Sequence, residues 1–145
     1  MFDSSPPVRV ARPGSPGAAT GTAATRGGPP GWPERVPPPG AAGWQPAVVG
    51  WLLDLCPPDY RGYGAVRRHP EVLAWLAEQH VGAQLAAMRE AYRSVRVEMA
   101  DQMPAGATDA VLVCLEREGL RLRSAQRSVA LVREALDGAT FVPRL

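Results

Sequence analysis

The chain has 145 residues, is 46% apolar and carries a net charge of only +2. It therefore has room for one modest core and lacks the strong positive field of a dedicated nucleic-acid binder. It contains no lysine, isoleucine or asparagine, which excludes a Schiff-base lysine, a phosphate-loop lysine and an N-glycosylation acceptor.

Residues 1–43 hold ten of the 16 prolines and eight of the 15 glycines. Such a stretch buries too little apolar surface to offset an ordering entropy of roughly 1–2 kcal/mol per residue, so it reads as a disordered leader that acts as a tether. Its functional alternative is a polyproline II docking strip centred on Trp32 and Pro37-Pro38-Pro39. Residues 1–30 lack the continuous apolar run of a secretory signal, no segment approaches the roughly 18 apolar residues of a membrane span, and Cys56 and Cys114 lie far apart. The expectation is a soluble, cytoplasmic chain with reduced thiols and no membrane contact.

Order is predicted over 44–140, with 141–145 as a tail. Gln45-Pro46 reads as a helix start, and a short Trp-bearing helix over about 46–56 is apolar nearly all round, through Val48, Val49, Trp51, Leu52, Leu53 and Leu55. Pro57-Pro58 stops it. Asp59 stands where an N-cap would, ahead of a short, glycine-weakened helix ending at Arg68. His69-Pro70-Glu71 then repeats the start signal, with proline at the first helical position and an acid at the positive end of the dipole.

Two heptad stripes follow. Val81, Leu85, Met88, Tyr92, Val95 and Met99 recur at alternating spacings of four and three, and Val111, Leu115, Glu118, Leu122, Ala125, Val129, Val132 and Leu136 repeat the pattern. The stripes are symmetric about Ala105, inside the helix-breaking Met103-Pro104-Ala105-Gly106. The chain is thus predicted to be all-α, a long antiparallel helical hairpin over about 70–101 and 108–136, with Thr108 capping the second arm and Gly138 ending it. A two-helix rod roughly 40–45 Å long is thin. The short helix is expected to brace its open end, where Leu73, Trp75, Leu76 and Ala77 widen the apolar face toward Trp51 and Leu52, while the tip stays solvated.

Glu118 interrupts the second stripe opposite Tyr92, so the two read as a register pair, with Arg121 as the other available partner. Arg61, Arg67 and Arg68 in the connector, and Arg89, Arg93 and Arg96 on one face of the first arm, are candidate partner contacts. Cys56, Asp59 and His69 could be drawn as nucleophile, orienting acid and base. However, a thiol at a helix C-terminus in apolar company is a poor nucleophile, so no catalytic residue is assigned. His69 and His80 stand eleven residues apart with no companion at ligand spacing, so neither a metal nor any cofactor is expected.

The run Trp51-Leu-Leu-Asp-Leu-Cys-Pro-Pro-Asp-Tyr-Arg61, continuing through Val66-Arg-Arg-His-Pro70 to Val72-Leu73, resembles a group of small uncharacterised helical proteins of GC-rich actinobacteria. The resemblance spans about Trp44 to Leu136 and implies no activity, only a bacterial cytoplasmic setting. The function expected from the residues is a non-catalytic protein-interaction or regulatory accessory module, engaging an unidentified protein or a second copy of itself through the hairpin surface. The rival readings are a weak arginine-mediated nucleic-acid association and an enzyme centred on Cys56, Asp59 and His69.

Overall fold

A computed structural model describes residues 27–139 and Phe141. Among these residues there are no strands; the elements are α1 (Trp44–Asp54), a 3-10 turn (Pro58–Gly62), α2 (Gly64–Arg67), α3 (Pro70–Glu98) and α4 (Ala107–Leu136). The all-α hairpin fold is as the heptads require: α3 and α4, of 29 and 30 residues, pack antiparallel along their lengths.

The helix ends differ from expectation in detail. The left-handed backbone of Gly43, with φ 74°, starts α1 at Trp44, so Pro46 sits at the third helical position. Leu55 and Cys56 belong to a tightened last turn, in which their amides bond Leu52 and Leu53 at 3.1 and 3.2 Å. The α3 helix stops at Glu98 and leads into successive turns on the Met99 carbonyl, and Pro104 then disfavours helical backbone at Met103. Thr108 does not cap α4. Gly106, at φ 81°, is the N-cap, and the Thr108 hydroxyl points to the Met103 sulfur. Asp59 likewise does not cap; Pro57 precedes the 3-10 turn and Asp59 lies in its first turn. Gly138, at φ 88°, ends α4 as expected, and the Ala139 amide reaches back to the Glu134 carbonyl at 2.9 Å.

The core sits at the open end of the hairpin. Val48, Leu52 and Leu53 of α1 interlock with Leu73, Ala74 and Ala77 of α3 and with Val129, Val132 and Ala135 of α4. Trp51 lies against this cluster as predicted, but Trp75 is half exposed, since it falls outside the buried face formed by its neighbours Leu73, Ala74 and Ala77. Glu78 and Arg133 join the two arms in a half-buried ion pair. A second, smaller cluster of Val81, Leu85 and Leu122, flanked by Met88 and Ala125, continues the seam as far as the middle of the hairpin. Two of the pairs mirrored about Ala105, Leu85 with Ala125 and Met88 with Leu122, therefore share one cluster.

Contrary to the expectation of a disordered leader over 1–43, its last part packs into the domain. Trp32 and Val36 are 8% and 4% exposed and belong to the main core. The Trp32 indole N–H donates to the carbonyls of Val36 at 3.0 Å and Pro37 at 3.2 Å, and its ring lies 6.2 Å from Trp44 and 6.3 Å from Phe141. Trp32 is thus an anchor for its own chain, not an exposed docking strip, and ordered structure extends well upstream of Trp44. One buried indole with its N–H satisfied carries this segment where periodicity could not. The part of the leader over residues 1–26, and residues 140 and 142–145 at the C-terminal end, lie outside the described residues.

Candidate interaction surface

The six arginines singled out from the sequence fall into two groups at opposite ends of the hairpin. Near the open end, Arg61 is ion-paired with Asp54 and its carbonyl accepts a 3.4 Å bond from Arg67. Arg67 and Arg68 edge an open groove of about 600 Å³ between the starts of α1, α2 and α3, with Gln45, Pro46, Val49 and Pro70 on its other walls. Toward the tip, Arg96 crosses the turn to Asp109 at 2.9 Å, and Arg93 bonds Glu90 at 3.1 Å. Arg61, Arg93 and Arg96 therefore already have intramolecular partners. Arg67, Arg68 and Arg89 have no ion pair among the described residues.

A second groove, of about 430 Å³, opens between α3 and α4 on the tip side of the Val81–Leu85–Leu122 cluster. Leu85, Met88 and Leu115 form its floor, and Arg89, Tyr92 and Arg93 on α3 face Glu116, Leu120 and Arg123 on α4 across Gly119. Its apolar walls are open: Tyr92 is 47% and Leu120 57% exposed, and Val97 and Val113, which do not line it, are exposed as well. On the tip side of the Val81–Leu85–Leu122 cluster Leu112 is the one core residue, at 8% exposed, and the helix faces that α1 and Trp32 shield at the open end have nothing over them here among the described residues.

The proposed Tyr92–Glu118 register pair is not formed. Glu118 accepts two bonds from Arg121, one turn on, at 2.8 and 2.6 Å, and Tyr92 faces the groove. The Arg121 guanidinium holds the Glu118 carboxyl below its ordinary value, and Glu118 in turn raises the pKa of Arg121. A bidentate partner on the same helix is closer to hand than a phenol across the seam, so the carboxylate turns outward.

The Cys56, Asp59 and His69 trio is not assembled. Cys56 is buried in the core cluster, and burial pushes its thiol pKa up. Asp59 is exposed, and the exposed His69 ring lies 3.6 Å from Glu71. The histidine that does find a structural partner is His80, whose Nε2 shares a 3.0 Å hydrogen bond with the Tyr60 hydroxyl and pins the connector to α3. No group of three or more potential metal ligands occurs among the described residues. No helix among them is long and apolar enough to cross a membrane.

The sequence reading flagged the α3 side of the hairpin groove through Arg89 and Arg93 but missed Glu116, Leu120 and Arg123. The available signal was Val113 and Leu120, seven residues apart and off the seam stripe, which is a second apolar line on α4. Compared with protein-family models, curated proteins and solved structures, the chain matches none.

Proposed function

We propose that this protein is a non-catalytic interaction module that engages another polypeptide through the distal face of its α3–α4 hairpin. The observation that carries this reading is the contrast between the two ends of one amphipathic rod. At the open end α1 and Trp32 cover the hairpin, whereas toward the tip the same two helices leave Tyr92 and Leu120 exposed beside an open, arginine-rimmed groove. Large apolar side chains clustered at a concave surface and rimmed by charge are the usual anatomy of a docking site. The arginines that line it suit such a site, since arginine packs its stem on apolar surface while its head remains available for pairing.

Site-specific photo-cross-linking of the full chain in its native cell extract tests the reading. A photoreactive residue in place of Leu120 or Tyr92 is expected to give discrete adducts, and one in place of Gln79, an exposed α3 residue outside the groove, is expected to give none. Absence of adducts from both groove positions, or equal yields from the control position, overturns the proposal.

A further inference from the structure

We infer that the occupant of the hairpin groove is a second copy of this chain, docked antiparallel about a two-fold axis; this rests on the interaction-module reading and names its partner.

The charges of the groove are arranged to complement themselves. Glu116 and Arg123 line the same groove, are seven residues apart on α4, and neither has an ion pair among the described residues. Seven residues is two helical turns, so both project from one face. Midway between them lie Gly119 and Leu120. A two-fold axis crossing α4 at that midpoint places Glu116 of each chain opposite Arg123 of the other, forming the ion pair twice, as an isologous contact requires. The same operation sets the exposed Leu120 of one chain over Gly119 of the other, where even an added Cβ would have open space around it. A protruding leucine thus meets a position with no side chain to obstruct it.

The other arm agrees with this register. In a hairpin folded about Ala105, the Gly119–Leu120 midpoint is level with the midpoint of Glu90 and Ala91 on α3, and the Glu78–Arg133 pair and the packing of Ala125 against the Leu85 cluster show that the arms hold that alignment. One axis at this level therefore also brings Arg89 of each chain to the Tyr92 ring of the other. Arg89 has no ion pair among the described residues and Tyr92 is half exposed, so an arginine over an aromatic face satisfies both. An acidic partner segment fits less well, because Glu116 lies within the groove and Arg93 is already neutralised by Glu90. Two hairpins face to face form a four-helix bundle, which supplies the covering layer that the distal half lacks.

Sedimentation equilibrium of the full chain over a concentration series, with circular dichroism to verify that each variant is folded, tests this. The wild-type chain is expected to dimerise. Glu116→Arg alone and Arg123→Glu alone each place two like charges in contact and are expected to weaken association roughly 100-fold. An equimolar mixture of these two variants restores both ion pairs, as does the double variant E116R/R123E, and each is expected to recover association. A monomeric wild-type chain, single variants that dimerise normally, or a mixture that stays monomeric overturns the inference. Leu120 cross-links to a different protein, together with a monomeric wild type, defeat self-association while leaving the interaction-module reading intact; absence of all cross-links defeats both.

Discussion

The Ser128 hydroxyl donates a 2.7 Å hydrogen bond to the carbonyl of Gly31, 97 residues earlier in the chain. Ser128 is the buried polar residue of α4, and its neighbours in sequence are the core residue Val129 and the helix surface. Its contact fastens a proline-rich segment to the C-terminal third of a heptad helix. Beside it, the Gly31 backbone runs in a left-handed conformation close to Leu131, and Trp32 then turns into the core. The upstream segment is therefore a structural part of the helical domain.

Trp32→Ala is accordingly expected to destabilise the fold by about 3–5 kcal/mol, the range for removing a buried aromatic side chain that leaves a cavity. Trp32→Phe keeps most of the apolar contact with Trp44 and Phe141 but strands the carbonyls of Val36 and Pro37, so it should cost less. Urea unfolding followed by circular dichroism ranks the two. A loss below about 1 kcal/mol for the alanine variant would show that the segment is only laid against the core and does not stabilise it.

Glu118 and Arg121 give a prediction with a pH sign. The folded-state pKa of Glu118 is lowered, chiefly by its hydrogen bond to Arg121, so its contribution is fully present above the ordinary carboxyl value of about 4.3 and is lost as the pH falls through the folded value. The pair is solvent-accessible, and exposed pairs one helical turn apart are worth only about 0.3–0.5 kcal/mol. Glu118→Gln should lower stability by that small amount at pH 7, and by progressively less as the pH falls through the folded value. Tyr92→Phe should be additive with it at either pH, because the phenol makes no bond to the carboxylate. A double-mutant cycle showing coupling between positions 92 and 118 would restore the Tyr92–Glu118 register pair in place of the Glu118–Arg121 contact.

The two cysteines should separate cleanly by chemistry. Cys114 is exposed, whereas Cys56 is buried and its thiol resists ionisation. Iodoacetamide at neutral pH is therefore expected to label Cys114 first, and Cys56 only under conditions that open the core, as read by peptide mass mapping. The unfolded chain ionises Cys56 at the ordinary value of about 8.5 while the fold holds it protonated, so Cys56 also contributes a loss of stability as the pH rises above that value. Rapid labelling of Cys56 in the folded chain at pH 6 would contradict its burial and revive the nucleophile reading.

Legibility in the sequence followed the physical source of each feature. The hairpin was readable because its stabilisation is periodic: Val81, Leu85, Leu122 and Val129 recur at a spacing that only a helix seam turns to one side. The packing of Trp32 was not, because a single aromatic in a Pro/Gly-rich run has no period, and its burial depends on a cleft built by residues about 100 positions away. The start signals of α1 and α4 are hidden for a related reason, since Gly43 and Gly106 begin these helices through left-handed backbone without a side-chain cap. At the candidate surface, Arg89 and Arg93 were visible as a charged line. Leu120 was not, because an exposed leucine on a helix is unremarkable until its neighbours in space are known.

Two glycines of the hairpin should respond with opposite signs to the same substitution. Gly106 starts α4 with φ 81°, so an alanine there meets no atoms but is forced into left-handed backbone at roughly 1–2 kcal/mol, partly offset by the smaller entropy of its unfolded chain. Gly82 lies in the interior of α3, where a Cβ also finds open space but the backbone is already helical. Gly82→Ala is therefore expected to stabilise the fold by roughly 0.5–1 kcal/mol, and Gly106→Ala to destabilise it by a similar amount. Thermal unfolding of both single variants and of the double variant checks this, and the double should fall close to wild type because the sites lie far apart and share no partner. If both alanines stabilised the chain, the turn at Gly106 would not need the conformation that distinguishes it, and the sharp reversal between the two arms would require another cause.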